Sequence, residues 1–135
     1  QGNENLSFEE LKDELTEKQK AFADNYIISL NATEAAKEAG YEIKVGKFPF
    51  TASGKASAAG EKDGFVKLIF DAKYGELLGG HMVGASVTEM ISELVVGKKI
   101  EATGHEFIKS VHPHPTMSEA IMEAAAAAYD EVIHI

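Results

Sequence analysis

An α+β fold, an antiparallel sheet flanked by helices with an added helical segment at the N-terminal end, is predicted by three features of the sequence. The apolar period is helical before Gly40 and alternating after it. Two strand-like runs, Phe65 to Ala72 and Leu77 to Ala85, flank the turn sequence Lys73-Tyr74-Gly75-Glu76. Helical patterns then resume from Val87 to about Tyr129. The 135 residues fit one domain, or one domain with an appendage, and a chain of this size buries roughly two-thirds of its unfolded surface without needing a staple.

The first part, residues 1–40, reads as a helical appendage, and residues 41–135 as the mixed domain. Ser7-Phe8-Glu9-Glu10 and Thr16-Glu17-Lys18-Gln19 both fit the capping box, in which residues three apart satisfy each other's backbone amides. Asn31-Ala32-Thr33-Glu34 is a third helix start, and Gly40 suits the position just past a helix end. Phe22, Tyr26, Ile27 and Leu30 form a narrow apolar stripe on the middle helix.

Tyr41, Ile43 and Val45 alternate with Glu42 and Lys44 and open the first strand. Thr51 to Gly64, rich in Gly, Ala, Ser and Lys, reads as a loop with room for one helical turn. Glycines 79, 80 and 84 mark bends or close backbone contacts in the returning strand. Val87, Met90, Ile91, Leu94 and Val95 give an amphipathic helix ending at Gly97. A shorter helix is predicted from His105 to Val111. Thr116-Met117-Ser118-Glu119 is a fourth capping box, opening an alanine-rich helix to about Tyr129, and Val132 to Ile135 is an apolar tail that another surface should cover.

Composition excludes several functions. With no cysteine there is no disulfide, thiolate metal site, cysteine nucleophile or dithiol redox chemistry in this chain. The net charge is −9, −6 of it on residues 1–42, which argues against non-specific nucleic-acid binding. No apolar run approaches the roughly 20 residues of a membrane helix, and no basic-then-apolar leader is present. The expectation is a cytoplasmic globular protein with no membrane partner.

Of five histidines, two stand in the informative stretch Val111-His112-Pro113-His114-Pro115-Thr116-Met117-Ser118-Glu119. The prolines hold their predecessors extended, so the preceding helix stops there, and each X-Pro bond can be cis. Glu119, in the first turn of the next helix, lies within reach of His114; a carboxylate on an imidazole N–H fixes the tautomer and raises basicity, as a general base requires. Spacing equally allows Glu119 to cap its helix through Thr116 with both histidines on the surface. A His112/His114 metal pair is disfavoured by Pro on both sides and by the lack of a third ligand nearby.

Residues 41–135 resemble the C-terminal interface domain of the dihydrolipoyl dehydrogenase family of flavin disulfide reductases. The resemblance rests on Val45-Gly46-Lys47-Phe48-Pro49-Phe50, Ser53-Gly54-Lys55-Ala56, Leu78-Gly79-Gly80-His81-Met82-Val83-Gly84-Ala85 and Glu89-Met90-Ile91, and most specifically on His112 to Glu119. It implies that His114 is the acid–base catalyst, that Glu119 orients it, and that the His114–Pro115 bond is cis. It also implies that His114 crosses a dimer interface to deprotonate a dihydrolipoamide thiol at the other subunit's redox disulfide, since thiol–disulfide exchange needs a thiolate. The family uses FAD and NAD, yet these 135 residues hold no G-x-G-x-x-G fingerprint after a strand and no cysteine pair, so no cofactor is expected in this chain.

Residues 15–41, from Leu15-Thr16-Glu17-Lys18-Gln19 to Ala36-Lys37-Glu38-Ala39-Gly40-Tyr41, instead resemble the start of phage terminase small subunits, where such helices support a DNA-binding domain. The recognition helix of those proteins would follow Tyr41, and no Arg is present to read bases. Joined at the shared Ala-Gly-Tyr, the two resemblances describe a chimera. The expected function is a non-catalytic homodimerisation module that retains the His114–Glu119 pair, with the apolar tail and the alanine-rich helix at or near its two-fold interface, where small side chains permit close approach. A fragment complementing a flavin disulfide reductase and a DNA-binding module are the alternatives.

Overall fold

The computed structural model describes residues 16–19, 21 and 32–132. The chain separates into two compact units, Gln1–Glu42 and Ile43–Ile135. The Ser7–Glu10 box, the Phe22 to Leu30 stripe, the Asn31 cap and the end of the apolar tail lie outside the described residues.

In the first unit the Thr16–Gln19 capping box is formed: the Thr16 N–H donates to Gln19 Oε1 at 3.0 Å and the Gln19 N–H to Thr16 Oγ1 at 3.3 Å. Helix α1, Ala32–Glu38, buries Ala32, Ala35 and Ala36. It ends at Gly40 with a φ of 87°, where the N–H of Gly40 donates to Lys37 O and that of Tyr41 to Ala36 O, the paired bonds of a Schellman motif.

The second unit is a three-stranded antiparallel sheet with helices packed on it. Strands β1 (Ile43–Pro49), β2 (Gly64–Asp71) and β3 (Leu77–Gly84) lie in that order. The β2–β3 hairpin turns where predicted, with the Tyr74 N–H donating to Asp71 Oδ2 at 2.7 Å. A register shift between Ile69 and Phe70, which pair with Gly79 and Leu77, leaves Leu78 as the bulged residue. The segment expected as a loop is more ordered: a 3₁₀ turn, Phe50–Ala52, leads into α2, Gly54–Ala59. The Ser53 hydroxyl caps α2 by accepting from the Ala56 N–H. The turn signals in this stretch thus flank a short helix rather than replace it.

Three further helices follow: α3 (Val87–Lys99), α4 (Gly104–Lys109) and α5 (Glu119–Ala128). Helix α5 crosses β1 and β2, α3 covers β3, and α4 packs on α5. Phe48, Phe50, Val66, Leu68, Phe70, Leu77 and Ile121 are at most 2 % exposed between sheet and helices; burial of each such side chain contributes about 1.5–3 kcal/mol. Close approach is built into one cross-strand row, Gly46–Leu68–Gly80. A Cβ at Gly46 would stand 1.8 Å from the Ala124 carbonyl of α5, and one at Gly80 2.6 Å from the Leu94 side chain of α3.

Two expectations about the helices are corrected. The α3 stripe is only half covered by this chain: Met90 and Leu94 are buried, while Ile91 and Val95 are exposed, Val95 by 62 %. The small residues Ala120, Ala124, Ala125 and Ala126 of α5 are buried within the unit and are not free to form an interface. No helix among the described residues is long and apolar enough to cross a membrane.

Candidate functional site

The loop from Ser110 to Ser118 joins α4 to α5 and places two histidines. Helix α4 begins in a Thr103–Glu106 capping box and stops at Lys109, two residues before its predicted end. Ser110 leaves it in extended geometry, its hydroxyl donating to Glu106 O at 2.6 Å. The His114–Pro115 peptide bond is cis.

His114 and Glu119 are brought together. His114 Nδ1 lies 2.8 and 3.1 Å from the two carboxylate oxygens of Glu119, the first residue of α5. An ionised carboxylate only accepts, so Nδ1 carries the hydrogen, and in the neutral ring Nε2 keeps its lone pair. The His114 side chain is 78 % exposed and that of Glu119 21 %. The base is therefore held at one nitrogen and presented at the other.

The expected Thr116–Glu119 capping box is not made. The Thr116 hydroxyl donates to Pro113 O at 2.7 Å, Ser118 stands at the N-cap without a side-chain cap bond, and the Glu119 carboxylate is turned to His114. Of the two readings open from spacing, the helix cap gives way to the histidine pair because α5 starts with Ser118 as its N-cap, so Glu119 is its first residue and not the third after a Thr116 cap.

His112 is placed oppositely. Its Nδ1 lies 2.8 Å from Ser110 O and its Nε2 2.6 Å from Glu93 Oε1 on α3, and its side chain is 7 % exposed. The Glu93 hydrogen bond holds the ring's pKa above its ordinary value in spite of burial, with the Ser110 carbonyl and the charges of Glu93 and Glu119 adding to the effect. Sequence reasoning missed Glu93: nineteen residues separate the pair, and no local spacing encodes a contact between a helix and a distant loop.

Two shallow concavities flank His114 and Glu119. One, about 230 Å³, is walled by Phe48, Ala52, Ser53 and Gly54, and the other, about 310 Å³, by Ile108, Lys109, Val111 and Met122; Glu123 borders both. Glu123 is 3 % exposed, one turn beyond Glu119 on α5, and was not singled out from the sequence. The other described histidines lie elsewhere. The His105 ring packs 4.6 Å from that of Tyr129. His81 on β3 is paired with Lys67, and burial and that lysine hold its pKa below the ordinary value. Among the described residues no group of three or more His, Asp or Glu is placed to hold a metal.

A three-stranded antiparallel sheet with helices packed on it, bearing a His–Glu pair after a Pro-rich loop, defines an interface domain of the disulfide reductase type. Residues 31–125 match the family described as pyridine nucleotide-disulphide oxidoreductase, dimerisation domain, and the chain belongs to that family. The similarity takes in α1 as well as the whole sheet. Among individual proteins, the chain is 49 % identical over 114 residues to the dihydrolipoyl dehydrogenase of Zymomonas mobilis, covering 84 % of this chain and 24 % of that one. It is 51 % identical over 107 residues to the dihydrolipoyl dehydrogenase of Bacillus subtilis, covering 78 % and 23 %. The fold superimposes on the flavoprotein disulfide reductase RclA of Escherichia coli with a TM-score of 0.66 at 26 % identity, over 69 % of this chain and 21 % of that one. The chain spans about a quarter of the length of the curated relatives it matches.

Proposed function

We propose that the chain is a self-associating module carrying an acid–base half-site, His114 and Glu119, and that it does not turn over substrate by itself. The observation that carries this reading is the asymmetry of His114: Nδ1 is committed to Glu119 while Nε2 stands exposed beside two shallow concavities. A neutral imidazole so held takes a proton at Nε2, and Glu119 stabilises the imidazolium that forms. The matching substrate is a thiol. Its proton passes to Nε2, the thiolate attacks a disulfide sulfur, a new S–S bond forms and the old one breaks to release a second thiolate. The disulfide must come from another polypeptide, since this one has no cysteine. The described residues do not fit a flavin or nicotinamide cradle either: the sheet is antiparallel throughout, and no Gly-rich turn leads from a parallel strand into a helix.

Self-association is supported by the family's dimerisation role and by the uncovered half of the α3 stripe, Ile91 and Val95, with Val96 and Ile100 exposed beside it. Sedimentation equilibrium tests it: a dimer at high micromolar concentration is expected, and a species of 14.5 kDa at that concentration contradicts it. The bare Nε2 also favours a second reading, a fragment that complements a flavin disulfide reductase lacking this domain.

A two-part origin, with a terminase-like helical stretch upstream of the reductase interface domain, belongs to the same proposal. Its support is the acidic, helix-patterned texture before residue 22; the family match begins at residue 31, and a relative's match over 114 of the 135 residues takes in at least residues 22–114, so the terminase resemblance of residues 15–41 overlaps both. A chain starting at residue 31 is expected to keep the Ile43–Ile135 fold; failure to fold contradicts it. A cytoplasmic setting fits a cysteine-free chain. DNA binding through the N-terminal helices is not expected, and a gel shift at low salt is the check.

A further inference from the structure

We propose that His112 is a positioning residue for this half-site: as a doubly donating imidazolium bridging Ser110 O and Glu93, it clamps the loop to α3 and so fixes where His114 meets Glu119. The inference rests on the half-site reading for its functional meaning, but its geometry is independent of it. Both ring nitrogens face acceptors, a backbone carbonyl at 2.8 Å and a carboxylate at 2.6 Å. A neutral imidazole has only one N–H and leaves one of these contacts lone pair to lone pair; the protonated ring satisfies both. The ring is nearly buried, so water does not replace either partner.

The clamp ties the loop to a different element from the one that holds His114. Glu93 sits in the middle of α3, on the β3 side of the sheet, whereas Glu119 opens α5, which crosses β1 and β2. Between them the loop carries two prolines, which lack N–H donors, and Val111, which is 97 % exposed. The Ser110 hydroxyl ties the start of the loop to Glu106 O of α4, Thr116 bonds back to Pro113 O, and Met117 packs into the core; between these, the side chains that hold the loop to other elements are His112 on α3 and His114 on α5. If the His112 anchor goes, the stretch between Ser110 and Thr116 loses its tie to α3, and the His114 tautomer depends on its own contact with Glu119. The charged and titratable groups around His112 are Glu93 from α3 and Glu119 from α5, with Lys109, His114 and Glu123 bordering the same concavity. The carboxylates of Glu93 and Glu119 both favour the protonated ring.

Side-chain amides separate a clamp from mere packing, because Gln and Asn place an N–H near the sites of Nε2 and Nδ1 respectively. H112Q keeps a donor toward Glu93; H112N keeps one toward Ser110 O and loses Glu93. The experiment is long-range 15N NMR of the histidine rings in the full chain. In the wild type, His112 is expected to carry hydrogen on both nitrogens at pH 7, and neutral His114 at higher pH to be mainly the Nδ1–H form. In H112N and E93A, His114 is expected to shift to mainly the Nε2–H form, the usual one in water, while H112Q largely retains Nδ1–H. Glu93 is one-third exposed on a helix, so E93A tests the clamp even where H112N fails to fold. A single N–H on wild-type His112 at pH 7, a His114 tautomer indifferent to E93A, or H112Q as damaging as E93A would each overturn the proposal. Because these signals come from the chain's own rings, a failure to complement a reductase overturns the half-site reading and leaves this one standing.

Discussion

His112 and His114 stand two residues apart on one loop, on either side of Pro113, and the fold treats them in opposite ways. His112 is buried with both nitrogens engaged; His114 is exposed with one nitrogen engaged and one bare. The chemistry of an imidazole is thus decided less by the carboxylate beside it, since each has one, than by what faces its second nitrogen. An acceptor there makes a charged structural clamp, and open space makes a base. Both carboxylates come from helices that pack on the sheet, so the loop takes its precision from helix seats rather than from its own hydrogen bonds.

The largest effect expected on this arrangement comes from those seats. Gly46→Ala places a methyl group against the α5 backbone and should destabilise the chain by about 2–3 kcal/mol, read by urea denaturation. It should also displace Glu119 from His114 while sparing the His112–Glu93 pair, which hangs on α3. If both pairs are lost together in a chain that still folds, the two seats are not independent. Next, His112→Ala removes a nearly buried charged hydrogen bond and should cost about 2 kcal/mol in the same assay, whereas His114→Ala should change stability by less than about 0.5 kcal/mol. Equal costs would erase the distinction drawn here.

The smallest effect is the pH dependence of that His112 contribution. Its pKa is raised in the folded chain, so the contribution is complete below the unfolded value near 6.5 and fades as pH rises through the folded value. The wild-type advantage over His112→Ala should therefore be larger at pH 6 than at pH 9. An advantage that grows with pH would mean that the ring is neutral in the fold.

Much of this was legible in the residues. Local signals located the three strands and the hairpin at Lys73-Tyr74-Gly75-Glu76, but the alternation read in β1 gave the wrong inner face: Gly46 and Phe48 are buried, whereas Val45 is 41 % exposed. His114 and Glu119 were legible as a motif six residues long, although spacing alone left the carboxylate a choice between a helix cap and a histidine, which the loop geometry decides. Glu93 was not legible, since a pair nineteen residues apart depends on how α3 lies beside the loop. Nor was the half-exposed α3 stripe: Val87, Met90, Ile91, Leu94 and Val95 form one apolar face in sequence, and only packing separates the part this chain covers from the part it leaves open. The loop-like composition of Thr51 to Gly64 left room for one helical turn, and the six-residue helix Gly54–Ala59 exceeds it.

The central claim is that His114 is a base whose partners lie on another chain. It is tested most directly by mixing this chain with a flavin disulfide reductase truncated before its own dimerisation domain and following lipoamide-dependent NADH oxidation. The account predicts no turnover by the chain alone, turnover in the mixture, and a loss of about 10²–10⁴-fold on His114→Gln with self-association intact. Turnover that His114→Gln leaves unchanged, or a self-associating wild-type chain that restores none, would contradict it.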